Sequence, residues 1–183
     1  STFPNVPPLE PGRSREKAAR IDQPAPFAVN GIIAARDQPA HYRFSARKDQ
    51  HLEFQVIARR LGSPLDPVVT VLGPKGNTLG SNDDTAGHPD SSLRVRFTED
   101  GEYVVRVADQ LGRGGPLHVF RLEVTEVVPS VALKVPDTAR YDYETRKSIV
   151  VPRGNRLALL FNVTRDGYNG DLRLRFDGLP DGI

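Results

Sequence analysis

Cysteine, methionine and tryptophan are all missing from the 183 residues. Without cysteine there are no disulfides, no thiolate metal sites and no cysteine nucleophile. That absence does not assign a compartment, because exported bacterial domains and cytosolic ones both manage without disulfides. No stretch approaches the ~18 consecutive apolar residues of a membrane helix, so no membrane span is expected. The opening residues, Ser1 to Asn5, lack the basic and apolar regions of a signal peptide, and none is expected here. Charge of one sign is also lacking. The 25 basic and 23 acidic residues leave a net +2 and alternate along the chain, which does not point to nucleic acid as a partner.

Glycine and proline are plentiful, 16 of each, and follow no period, which points to many tight turns and excludes collagen. Residues 1–13 hold four prolines and read as an extended lead-in. Ser14 to Arg20 is the one stretch expected to be helical, with Ser14 as N-cap and Ala18 and Ala19 as helix formers. Pro24 and Pro26 forbid its continuation. From Phe27 the hydrophobic period becomes two. Leu52, Phe54 and Val56 alternate with polar neighbours, as do Leu93, Val95 and Phe97, and then Tyr103, Val105 and Val107 with Glu102, Val104 and Arg106 opposite. Such alternation places one sheet face in a core and the other in water. With further candidates at 27–34, 40–46, 67–72 and 117–125, about seven short strands precede residue 126. Turn chemistry separates them at Leu61–Pro64, Gly73–Gly76, Glu99–Gly101 and Gly112–Pro116.

This pattern specifies an all-β protein, an antiparallel jelly-roll-like β-sandwich over residues 14–126. Val127 to Ser130 reads as a junction. Strands are expected beyond it at 130–135, 148–152, 156–163 and 171–176, with a turn at Pro152 to Asn155. Residues 129–183 are expected to begin a second, partial β-sandwich; alternatively, these strands complete the first.

Residues 9–125 resemble the bacterial pre-peptidase C-terminal domain. The resemblance rests on linked pieces in order: Leu9-Glu10-Pro11, Glu16-Lys17-Ala18, Val29 to Ile32, Tyr42-Arg43-Phe44 and Leu52-Glu53-Phe54. Leu65-Asp66-Pro67, Val71-Leu72 and Gly76 to Gly80 follow, the last running into Ser81 to Asp84. Gly101-Glu102-Tyr103, Val105-Arg106-Val107 and Phe120-Arg121-Leu122 complete it. The resemblance implies a jelly-roll-like sandwich of secreted, periplasmic or cell-surface bacterial proteins, often beside peptidase domains and not itself catalytic. Related collagen-binding modules hold calcium partly through acidic residues near their N-terminal linker. Here Glu10-Pro11-Gly12 replaces that richer run, and His41 stands where an aspartate is usual. The tail, from Asn162 to Gly170 and on to Gly182, resembles the opening of immunoglobulin-like modules.

The candidate metal ligands are Asn82, Asp83, Asp84 and Asp90, joined by Asp109 from another part of the chain. Calcium takes six to eight oxygen ligands, so Ca2+ is the cofactor that such a loop would hold. Asn82, Asp84 and Gly87 fit the spacing of an EF-hand loop, but Ala86 and Leu93 stand where ligands belong. The other reading is a polar loop with Asx turns. Asp66 and Asp49 are further carboxylates that a sandwich would bring near it.

His41, His51, His88 and His118 have no zinc spacing. No Gly-x-Ser-x-Gly is present, and Ser63, Ser81, Ser91 and Ser92 fall in or beside turns, so no enzyme is expected. Arg94, Arg96 and Arg106, with Arg121, share outward parity among acidic neighbours, which reads as a mixed solvated face. Tyr42 and Tyr103 have inward parity, leaving Tyr141, Tyr143 and Tyr168 of the tail as contacts. The function expected is a non-catalytic accessory module, a spacer or anchor, of an exported multidomain bacterial protein. Its partners are neighbouring domains of the same polypeptide. The alternative is a binding module for collagen-like protein or polysaccharide.

Overall fold

A computed structural model describes residues 4–7, 9–85, 87, 89–137, 154, 158, 160–175 and 177–178. The chain divides into two compact units, Ser1–Val127 and Val128–Ile183.

The first unit is a sandwich of two sheets. Its strands are β1 (Ala19–Arg20), β2 (Phe27–Ile32), β3 (Ala40–Ala46), β4 (His51–Ile57), β5 (Pro67–Leu72), β6 (Thr78–Asn82), β7 (Ser92–Arg96), β8 (Gly101–Asp109) and β9 (Val119–Glu126). One sheet runs β2-β9-β4-β7 and the other β1-β3-β8-β5-β6. Every pairing is antiparallel except β1 with β3. The seven expected strands are present, and Leu52, Phe54, Val95, Phe97, Tyr103 and Val105 are all buried on the inner faces.

The core is built around Phe44. Its ring centroid lies 5.3 Å from Phe54, 6.0 Å from Phe97, 6.1 Å from Tyr103 and 6.5 Å from Phe27. These rings come from both sheets, so each tilted or edge-on contact adds to simple area burial in holding the layers together.

Three expectations change. Ser14–Arg20 is not helical. Lys17 N–H approaches Ser14 Oγ at 3.4 Å and Ala18 N–H donates to Arg15 at 3.3 Å, but the chain then extends as β1, paired with Tyr42 and Arg43. One or two helical turns are marginal in water, whereas the edge of β3 offers ladder bonds and buries Ile21. The polar strand β6 was not expected, because Thr78-Leu79-Gly80-Ser81-Asn82 shows no apolar alternation. It is an edge strand, where little side-chain burial is needed. Gly80 lets it close on β7, since a Cβ there would stand 3.0 Å from Leu93 Cδ1. Val104 is buried although its parity is outward. The N-terminal segment explains this: Gly12 bridges His41, Arg43 donates to the Arg15 carbonyl, and Arg15 reaches across to the Pro74 carbonyl. The lead-in also bridges the other sheet, at Asn5 with Ala28.

In the second unit, β10 (Ser130–Lys134) pairs antiparallel with β11 (Asn162–Asp166). Residues 171–175 are not a strand; their alternation finds no ladder among the described residues. The expected strand 148–152 lies outside the described residues; of its turn only Gly154 is described, with a positive φ of 74°.

Replacing Phe44 with Ala removes the ring that both sheets share. Chemical denaturation of Phe44→Ala is expected to show a loss of about 3–5 kcal/mol, whereas Leu79→Ala, on exposed β6, changes stability by about 0.5 kcal/mol or less.

Candidate functional site

The candidate acidic residues lie at one end of the sandwich, and two of them, Asp90 and Asp109, meet arginines. Just after β4, a single 3-10 turn at Arg59–Leu61 directs its backbone N–H groups onto Asp90. The Asp90 carboxylate is buried and accepts from Ala58 N at 3.0 Å, Arg59 N at 2.8 Å and Arg60 Nε at 2.7 Å. At the end of β8, Asp109 is likewise buried. It accepts from the backbone N–H groups of Asp66, Leu111 and Arg113, each at 3.0 Å, and from Nε and a terminal nitrogen of Arg113, also at 3.0 Å.

Arg59 ties the two carboxylates together by pairing with Asp66 at 3.6 Å. Gln110 extends the network outward, accepting no charge itself but donating to Asp83 at 3.3 Å.

The electrostatics follow from this arrangement. Burial pushes the Asp109 carboxyl up, but the Arg113 bond and the N–H groups of Asp66, Arg113 and Leu111 outweigh it and hold the group well below the usual carboxylate range. Asp90 is lowered in the same way, burial being overcome by Arg60, Ala58 and Arg59. These lone pairs are committed to N–H donors. A cation would displace bonds that already neutralise the charge.

The remaining candidates do not complete a cage. Asn82 donates to the Ser92 carbonyl at 2.6 Å, and Asp83 accepts from the Asp84 N–H at 2.9 Å, an Asx-type contact. Among the described residues, no three His, Cys, Asp or Glu side chains stand close enough to hold a metal ion. Of the candidate ligands Asn82, Asp83, Asp84, Asp90 and Asp109, the two buried carboxylates, Asp90 and Asp109, spend their oxygens on N–H donors. Asp49 lies at the other end of β4, paired with Arg96 at 3.2 Å. Arg60 and Arg113, which carry this end of the fold, were not singled out from the sequence. The i,i+4 spacing of Asp109 and Arg113 was the available signal.

His41, Ser63, Ser81 and Ser92 bond within the fold. His41 is buried, and its Nδ1 lies 3.2 Å from the Pro39 carbonyl and 3.3 Å from that of Gly12. Burial lowers its pKa. His88 lies outside the described residues. Ser63 donates to the Leu117 carbonyl, Ser81 shares a hydrogen bond with Thr70, and Ser92 donates to Glu53. Five surface clefts of the first unit are lined by no histidine. The cleft between the β6 and β7 edges, about 400 Å³, is bordered by Lys75, Arg94, Arg96 and Glu99 over Leu79 and Val95.

The outward arginines do not form one face. Arg94, Arg96 and Arg121 lie on the four-stranded sheet, paired with Glu53, Asp49 and Glu123, while Arg106 lies on the other. Tyr42 and Tyr103 are buried, as expected. In the second unit, Arg165 lies over the Tyr168 ring at 6.0 Å; Tyr141 and Tyr143 lie outside the described residues.

A carboxylate whose folded pKa is depressed contributes stability above its unfolded value, and that contribution disappears as pH falls toward the folded one. The melting temperature of the wild type should thus fall steeply below about pH 4. Asp109→Asn is expected to be less stable by about 1–3 kcal/mol at pH 7 and to show a shallower acid limb, measured by thermal melts across pH.

The family model of the bacterial pre-peptidase C-terminal domain matches residues 40–109. No curated protein matches the chain. Solved structures similar to it include the pre-peptidase C-terminal domain of a collagenase from Bacillus anthracis, at 15% identity and a TM-score of 0.42, covering 58% of this chain and 92% of that one. Another is PliG of Aeromonas hydrophila, a periplasmic inhibitor of g-type lysozyme, at 16% identity and a TM-score of 0.46, covering 59% and 94%. PliG of Salmonella Typhimurium follows at 15% and 0.42, covering 59% and 96%. The matched segment runs from the first residue of β3 to the last of β8. Residues 40–109 are thus similar to a bacterial pre-peptidase C-terminal domain.

Proposed function

We propose that the first unit is a non-catalytic accessory module of an exported multidomain bacterial protein, acting as a spacer or anchor for neighbouring domains of the same polypeptide. Domains of this family usually accompany secreted proteases. The observation that carries the reading is where the chemistry sits. Every described Phe and Tyr of the first unit is inside the sandwich, and its most perturbed carboxylates are held by arginine. Sugar-binding faces generally stack rings on exposed aromatics, and a general acid or base needs a free, reachable proton site.

In this reading, Arg60 and Arg113 fasten loops to the sandwich end through Asp90 and Asp109. The unit is self-sufficient there, as suits a spacer that must stay folded beside a partner domain.

Purified full chain should show no turnover on peptidase and esterase panels and no retention on insoluble collagen, cellulose or peptidoglycan. Millimolar Ca2+ should leave its melting temperature unchanged, because a ligand that binds only the folded state would raise it. Turnover abolished by one Ser or Asp substitution would make it an enzyme, and retention on one of the three polymers would make it a binding module.

A further inference from the structure

On the outer face of the five-stranded sheet, His41, Arg106 and Thr70 stand side by side across β3, β8 and β5. His41 and Thr70 are 6% and 7% exposed, and Arg106 is half-buried between them. Most arginines of the first unit have a carboxylate partner. Arg13 and Arg47 do not, but both are exposed to water. Arg106 is different: it is partly withdrawn from solvent, offers five N–H donors and meets no acceptor among the described residues. Its nitrogens are not sealed from solvent, so the fork is open to an incoming acceptor.

Arg106 lines a half-open surface cleft of about 150 Å³ together with Asp37, Asp109 and Arg113. The charges around it can be paired off. Asp109 and Arg113 neutralise one another at 3.0 Å, and Asp37 lies 3.4 Å from Arg36. Burial holds His41 below its ordinary value and Arg106 lowers it further, so the imidazole is neutral at pH 7. The remaining charge is that of Arg106.

We propose that Arg106 binds a carboxylate in this cleft. A volume of this size corresponds to roughly five waters, enough for a carboxylate and one or two carbons but not for a sugar ring. The planar guanidinium matches a carboxylate through two parallel N–H bonds. A phosphate dianion fits less well, because Asp37 lines the same space. The carboxylate comes either from a small organic acid or from an acidic side chain on another polypeptide segment. This site is independent of the spacer reading, and neither depends on the other.

The test is a titration of 15N-labelled full chain, following the Arg106 Nε–H and Gly112 amide signals by NMR. Sodium acetate represents the free acid and acetyl-Gly-Asp-Gly-amide the side chain; sodium chloride at equal ionic strength is the control. A saturable shift with acetate or the peptide, absent with chloride, is expected, and the tighter probe identifies the source. Arg106→Lys, which keeps the charge but loses the fork, should weaken binding about tenfold, read at Gly112. Arg106→Gln should abolish it. If Arg106→Gln does not fold, the lysine variant remains the comparison. Equal shifts with chloride, no saturation with either probe, unchanged affinity in Arg106→Lys, or inorganic phosphate binding tighter than acetate would each overturn the proposal.

Discussion

Phe44 projects from the five-stranded sheet into rings contributed by both layers, and the stacking of the two sheets depends on that contact. Sheets that pack face to face stand about 10 Å apart, a gap that only interdigitated side chains of adequate bulk can fill. With no tryptophan or methionine available, phenylalanine, tyrosine and branched aliphatics must do it. Rings used as filling are unavailable as surface contacts. The scarcity of aromatics thus connects composition and core in one chain of cause.

Filling the middle leaves the ends. Strands stop there, and the backbone N–H groups of Ala58, Arg59, Asp66 and Leu111 would be left without ladder partners. Asp90 and Asp109 accept those protons, and the charge each brings inside is answered by Arg60 and Arg113. A buried carboxylate is tolerable when its lone pairs are used and a cation stands beside it. The two aspartates serve as caps for loops, comparable to an Asx side chain capping a helix. Their depressed pKa values follow from this capping, so an unusual titration here does not mark a reactive group.

Much of the sandwich was legible because alternation with period two is a direct imprint of burial on one face. Leu52, Phe54, Val95 and Tyr103 announced their orientation in this way. The failures have a common origin in edges. β1 and β6 gain their structure from a neighbouring strand and bury little themselves, so Ala18 and Ala19 read as helix formers and Thr78–Asn82 was not expected to be a strand. Val104 violated the alternation because a distant segment, anchored by Arg15, covers it, and no local window contains that fact. At the acidic end, the sequence displayed oxygen ligands in Asn82, Asp83, Asp84, Asp90 and Asp109 but not which of them would face arginines. Asp90 and Arg60 are 30 residues apart, and only the pairing of β4 with β7 brings their ends together.

The central claim, that arginine-held aspartates close the acidic end without help from a metal, is most directly tested by native-state hydrogen exchange. The amides of Ala58 and Asp66 lie outside the strand ladders and are bonded to Asp90 and Asp109. Their protection should approach that of the core strands and be the same in EDTA and in millimolar Ca2+. Rapid exchange in EDTA with protection appearing only on addition of Ca2+ would contradict the account.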